Sequence, residues 1–144
     1  MTVQDSPSLF SISDTKTFEA CALAIFNYQY TENAVYQEYC SLLGVHPKEV
    51  SQLSQIPFLP ISFFKEKSVI TGKATPTNTF ESSGTTGSST SKHFVTEISL
   101  YQESFRTAFQ QFYGDPKNLC ILALLPSYLE RTGSSLVYMV DDLI

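Results

Sequence analysis

The sequence has no tryptophan, no run of basic residues and only three cysteines. Cys21, Cys40 and Cys120 lie far apart, without a CxxC pair or a histidine at metal-ligand spacing, so the common zinc-site patterns are not present. An odd number of thiols favours buried, reduced cysteines in a reducing compartment over a disulfide framework. The formal net charge of −5 and the pI near 4.9 argue against binding to nucleic acid or anionic lipid, which requires a basic face.

The sequence also lacks a long apolar run and a leader-like start. The run "LCILALL" (119–125) is far too short to cross a bilayer, and the start "MTVQDSPSLF" contains neither a basic n-region nor an apolar h-region. The chain does contain 42% hydrophobic residues over a length of 144, which is enough for the core of one domain. We therefore expect a cytoplasmic protein with no nucleic-acid or membrane partner.

Residues 14–56 carry the periodicity of helices. Two amphipathic stripes repeat every three to four residues, the first made by Phe18, Cys21, Ala22, Ile25 and Phe26 and the second by Val35, Tyr36, Tyr39, Cys40 and Leu43. Asp14 is suited to cap the first helix, Gly44 to close the second, and Pro47 to begin a further helical turn. The pattern predicts a helical N-terminal part.

Residues 57–144 combine sequence patterns that are typical of strands with patterns that are typical of helices. Pro57 and Pro60 favour an extended segment, and strand-like residues on both sides of 82–91 predict a hairpin. Thr96 is a candidate cap for a long helix that ends at Gly114. The apolar run 119–125 then has the length of a strand that is buried on both faces of a mainly parallel sheet. The fold class predicted for the whole chain is therefore α/β.

The last predicted helix begins at Ser134 or Ser135, which are both capping residues. Its apolar pattern continues to Ile144 without a glycine stop or a basic last turn. We therefore expect the chain to be one end of a longer protein, with its sheet domain truncated.

The stretch "FESSGTTGSSTSKHFV" contains ten small uncharged residues, 82–91, between Glu81 and Lys92. Small residues let the backbone form a concave nest of N–H groups, and the serine and threonine hydroxyls add further donors. Gly84 and Gly87 can adopt positive φ, and Lys92 adds a positive charge at the end of the run. These features favour a polyphosphate-binding loop over a slack linker, which stays the alternative.

Two common phosphate motifs do not fit this stretch. The P-loop pattern GxxxxGK[ST] fails because Ser91 precedes Lys92 and His93 follows it. The dinucleotide pattern GxGxxG fails because Gly84 and Gly87 are the only glycines of the run.

The run "SSGTTGSSTSK" resembles the phosphate loop of adenylate-forming enzymes, the superfamily of acyl-CoA synthetases, peptide-synthetase adenylation domains and luciferases. Together with "IPFLPISFFK" and "LPSYLERTGSSLVYMVDDLI", in this order, it resembles the N-terminal half of the acyl-protein synthetase (LuxE) family. The resemblance spans most of the chain. It implies that residues 1–144 are the N-terminal part of an acyl-adenylating synthetase domain, with the helices at 14–56 and the extended segment, the phosphate-loop hairpin and an α/β unit at 57–144.

The resemblance implies that ATP and a carboxylic acid, in this family a fatty acid, form an acyl-adenylate and pyrophosphate, after which the acyl group passes to a protein thiol or another acceptor. An acyl carrier or acyl-accepting protein is the implied partner. ATP and Mg²⁺ are the implied cofactors, and the magnesium ligand is not expected in this chain. The implied catalytic residue is Lys92, and the implied phosphate-loop residues are Ser82, Ser83, Gly84, Thr85, Thr86 and Gly87.

The sequence departs from the superfamily pattern at two places. Lys92 lies slightly further from the last glycine of the loop than is usual, so the tip of the loop is expected to be longer. In "LPSYLERTG", Leu129 stands where many members carry a histidine that lines the acyl pocket. Ser127 and Tyr128 are candidate substrate contacts there, and packing at a strand end is the equal alternative.

The superfamily places its adenine, ribose and magnesium ligands, its mobile C-terminal lid and the acyl-accepting cysteine of this family further along the chain. The isolated chain is therefore expected to be inactive. Two alternatives stay open: an aryl- or phenylacetate-type CoA ligase, and a non-catalytic module of the same fold that binds a partner or acyl carrier protein.

Overall fold

The computed structural model describes residues 9–82, 90–125 and 133–144. Over these residues the fold is mostly helical, with one two-stranded antiparallel hairpin. The chain divides into two units, Met1–Ala74 and Thr75–Ile144. Within the described ranges, none of the helices combines the length and apolar character that crossing a bilayer requires.

The two longest helices of the first unit are α1 (Thr15–Glu32) and α2 (Ala34–Leu42). The carboxylate of Asp14 accepts hydrogen bonds from the backbone N–H and the hydroxyl of Thr17, at 2.9 and 2.6 Å, which confirms Asp14 as the cap. Asn33 connects the helices: its backbone N–H donates to the Gln29 carbonyl, and its side chain accepts from the Tyr36 N–H. Gly44, at φ 70°, follows the end of α2 as predicted.

The core of the first unit consists of Phe26, Tyr36 and Cys40, which all come from the predicted stripes. The Tyr36 hydroxyl donates a 2.6 Å hydrogen bond to the Pro57 carbonyl, so the polar end of this buried ring is satisfied. Burial raises the pKa of the Cys40 thiol above its ordinary value. The core is therefore held by helix packing, by the bond to the Pro57 carbonyl and by apolar side chains of the segment that follows α2, which are Val45, Val50, Ile56 and Leu59.

The segment after α2 contains 3₁₀ turns at Pro47–Glu49 and Leu53–Gln55. Pro47 begins the first of these turns, as predicted. The expected extended run after Pro57 is interrupted by α3 (Phe63–Glu66), so that prediction was wrong over these residues. The two prolines constrain only their own neighbourhood, and the next residues are free to form a short helical turn.

The second unit contains β1 (Asn78–Glu81), β2 (Lys92–Val95), α4 (Ile98–Tyr113) and α5 (Ser135–Leu143). The predicted hairpin is confirmed. Helix α4 ends at Gly114, which has φ 83°, as expected. It starts after Glu97 rather than Thr96, so the predicted cap was wrong, and no side-chain hydrogen bond caps it.

The apolar run 119–125 does not form the buried strand that the sequence predicted. It has no regular secondary structure, and Leu122 and Leu124 are 92% and 103% exposed. A strand needs neighbours that pair with its backbone, and no described residue makes a backbone hydrogen bond with residues 120–125. The predicted parallel sheet is therefore absent from the described parts of the chain. Cys120 is exposed for the same reason, contrary to prediction.

The three free thiols provide a test of this fold. We expect N-ethylmaleimide at pH 7.5 to modify Cys120 at least about tenfold faster than Cys40, because Cys40 is inaccessible and its raised pKa lowers the thiolate fraction. Cys21 is also buried and should react slowly. Peptide mapping by mass spectrometry after timed labelling measures the three rates. Equal rates in native buffer would contradict this fold, and equal rates in urea are the expected control.

Candidate functional site

The candidate site lies at the turn end of the β1–β2 hairpin, next to the run that connects the two strands. The strands pair in the register Asn78 with Val95, Thr79 with Phe94, Phe80 with His93 and Glu81 with Lys92. The ladder extends one step further, because the Ser82 N–H donates to the Ser91 carbonyl and the Ser91 N–H donates to the Ser82 hydroxyl oxygen, both at 3.0 Å. The two ends of the Ser/Thr/Gly run are therefore held side by side.

A pair of opposite charges lies at this end of the hairpin. The Lys92 ammonium is 3.7 Å from Oε1 of Glu81, and the two side chains are 52% and 45% exposed. The Thr90 hydroxyl donates a long 3.4 Å hydrogen bond to Oε2 of the same carboxylate. Lys92 is thus solvent-accessible, close to the serine ladder, and beside a carboxylate that also contacts the last part of the run.

An aromatic cluster supports the opposite face of the hairpin. Phe80 is 6% exposed, and its ring centroid lies 4.9 Å from that of Tyr101 and 5.4 Å from that of Tyr138. Burial raises the pKa of the Tyr101 hydroxyl. Side chains alternate across a strand, so burying Phe80 turns its neighbour Glu81 towards solvent.

Helices α4 and α5 are joined by a polar clamp beside this cluster. Asp142 accepts hydrogen bonds from Nε and Nη2 of Arg106 at 2.7 and 2.6 Å, and from the Gln102 amide at 3.4 Å. The same bonds raise the pKa of the Arg106 guanidinium. A two-point contact between a planar guanidinium and a carboxylate fixes orientation as well as distance. The clamp keeps Tyr101 on α4 and Tyr138 on α5 together under Phe80.

The segment before α5 also contacts β1. The Glu81 N–H donates a 2.8 Å hydrogen bond to the Gly133 carbonyl. Gly133 has φ 89°, a backbone conformation that strongly favours glycine, whereas a Cβ there would make only an ordinary contact, 3.5 Å from the Thr79 carbonyl oxygen. Ser134, one of the two predicted caps, accepts from the Val137 N–H at 3.3 Å and starts α5.

The structure brings together two of the predicted site residues, Ser82 and Lys92, at the end of the ladder. The other predicted loop residues, Ser83, Gly84, Thr85, Thr86 and Gly87, lie outside the described residues, as do the predicted substrate contacts Ser127 and Tyr128. Within the described ranges, no group of three or more histidine, cysteine, aspartate or glutamate side chains could hold a metal ion.

Sequence reasoning missed Glu81 as the ion-pair partner of Lys92, and it missed Thr90 as a hydrogen-bond donor to Glu81. A signal for Glu81 was present, since opposite charges flanking a hairpin turn become cross-strand neighbours when the register is symmetric. The contact from Thr90 carries no such signal, because it depends on the side-chain geometry next to the turn.

Comparison with known proteins assigns no family to the chain: no protein-family model matches it, and searches of curated proteins and of solved structures give no significant match.

The aromatic support of the hairpin can be tested by truncation. Phe80→Ala should lower the free energy of unfolding by about 3–5 kcal/mol, because it leaves a cavity between β1 and the rings of α4 and α5. Phe112→Ala is the matched control, since Phe112 is 81% exposed on α4 and its loss should cost less than about 0.5 kcal/mol. Urea denaturation measures both variants. Equal costs would contradict the assignment of Phe80 to the core.

Proposed function

We propose that this chain belongs to an ATP-dependent ligase that activates a carboxylic acid, with a fatty acid the preferred class, to an acyl-adenylate and passes the acyl group to a protein thiol or another acceptor. The hairpin turn binds the β- and γ-phosphates of ATP. Ser82, Ser83, Gly84, Thr85, Thr86 and Gly87 supply backbone and hydroxyl donors, and Lys92 supplies the positive charge.

One observation carries this proposal: the β1–β2 ladder holds Ser82 beside Ser91 and Lys92, at the two ends of the run of serine, threonine and glycine. The Ser82 hydroxyl oxygen accepts from the Ser91 N–H, and the hydroxyl keeps its own proton for donation. Lys92 begins β2, and its side chain is half exposed. A linker does not need its two ends to be joined by backbone hydrogen bonds, and it does not need a lysine beside them. A polyphosphate site uses both features.

The proposed hydrogen-bond donors act on the adenylation step, in which negative charge develops on the leaving pyrophosphate. The substrate carboxylate attacks the α-phosphorus, a bond forms between the carboxylate oxygen and phosphorus, and the bond from phosphorus to the bridging oxygen breaks. Pyrophosphate leaves with the electron pair of that bond. Fixed N–H donors and an ammonium beside the leaving group stabilise this charge and lower the barrier. Mg²⁺ bound with ATP would neutralise further phosphate charge, and no residue of this chain is assigned to hold it.

The direct test is carboxylate-dependent exchange between ATP and labelled pyrophosphate, using the protein that carries this chain and a panel of fatty and aromatic acids. Exchange that requires fatty acids supports the proposal. Exchange that requires aromatic acids would replace it with an aryl- or phenylacetate-type ligase. ATP binding without exchange would indicate a non-catalytic module that binds an acyl carrier or another partner.

Lys92 provides the matching mutational test. Lys92→Ala should slow the exchange by roughly 10- to 1000-fold, or about 1.4–4 kcal/mol of barrier, because a positive charge beside the leaving pyrophosphate is lost. Lys117→Ala is the control, since Lys117 is an exposed lysine of the same unit outside the hairpin. An unchanged rate for Lys92→Ala would remove this residue from the mechanism.

A further inference from the structure

The Glu81 carboxylate contacts two groups that a polyphosphate would also use. One of its oxygens lies 3.7 Å from the Lys92 ammonium, and the other accepts the hydrogen bond from the Thr90 hydroxyl. Ammonium and hydroxyl groups donate to carboxylate and phosphate oxygens alike. A bound polyphosphate and the Glu81 carboxylate therefore compete for the same donors.

The backbone of Glu81 is held from two sides. Its N–H is bonded to the Gly133 carbonyl, and the ladder pairs Glu81 with Lys92. The carboxylate stays next to Lys92 because the backbone cannot shift without breaking this register. The Glu81 side chain is nevertheless 45% exposed. Its carboxylate can therefore turn into solvent at little cost once another anion pairs with the Lys92 ammonium.

We infer that Glu81 acts as an internal anion. In the ligand-free state it pairs with Lys92 at the turn end of the hairpin, and an incoming polyphosphate displaces it from the lysine. This inference rests on the proposed function, since it requires that the hairpin binds polyphosphate. Glu81 positions Lys92 and lowers the affinity of the hairpin for polyphosphate. It therefore sets how readily the product pyrophosphate leaves. Glu81 is a positioning residue, because it acts through Lys92.

Amine footprinting of the 144-residue chain tests this exchange. The chain is treated briefly with an acetylating reagent, with and without inorganic tripolyphosphate, and the modification rates of Lys92 and Lys117 are read by mass spectrometry. Three proteins are compared: the unaltered chain, Glu81→Gln, and Glu103→Gln. Glu103 is an exposed carboxylate of α4, so its variant removes the same charge outside the hairpin.

Without the anion, Lys92 should react roughly two- to fivefold faster in Glu81→Gln than in the unaltered chain, the range that exposed ion pairs span. Glu103→Gln should leave the Lys92 rate unchanged, and Lys117 should react equally in all three proteins. Tripolyphosphate should protect Lys92 in each protein, with half-protection at a two- to fivefold lower concentration in Glu81→Gln.

Two results would overturn the inference in different ways. Equal Lys92 rates and equal half-protection in the unaltered chain and in Glu81→Gln would reject the role of Glu81 and leave the proposed function standing. Absence of protection by tripolyphosphate in every protein would reject the inference, and the exchange assay with ATP and pyrophosphate then decides the proposed function separately.

Discussion

The packing of Phe80 against Tyr101 and Tyr138 is the contact on which the geometry of the hairpin depends. It selects one face of β1 for burial, and a shift of one residue would expose this ring and bury Glu81. Val95 is buried on the same face from the other strand. The resulting register places Glu81 opposite Lys92 and joins Ser82 to Ser91. The positions of Glu81, Lys92 and the serine pair therefore follow from an apolar contact on the other face of the hairpin.

The sequence predicted the parts of the fold that depend on local interactions. Asp14 and Ser134 cap their helices, since a cap needs only the three residues that follow it. Gly114 ends α4 because a residue at positive φ strongly favours glycine. The hairpin was likewise visible as two strand-like flanks around a turn-rich run. Each of these features depends on interactions between residues that are close in the chain. They can therefore be predicted from a single sequence.

The predictions that failed depend on distant partners. The run 119–125 has the composition of a buried strand, but a strand exists only where another strand pairs with it, and the described residues supply none. The composition of the run indicates that its leucines favour burial, but it does not identify the residues that would pack against them. In the candidate site, Lys92 was singled out from its place after the small residues and its role stays a prediction, whereas the position of Glu81 beside it required the strand register.

The weakness of the Glu81–Lys92 contact is what makes it compatible with a binding site. A buried ion pair would hold the lysine firmly, and removing one partner would leave a desolvated charge at a cost of about 3–5 kcal/mol. At 3.7 Å and with both side chains about half exposed, the pair is worth about 1 kcal/mol or less, so the proposed displacement of the carboxylate by a multivalent anion would cost little. The buried contacts of the hairpin lie on its aromatic face, with Phe80, whereas Glu81 and Lys92 on the other face are exposed.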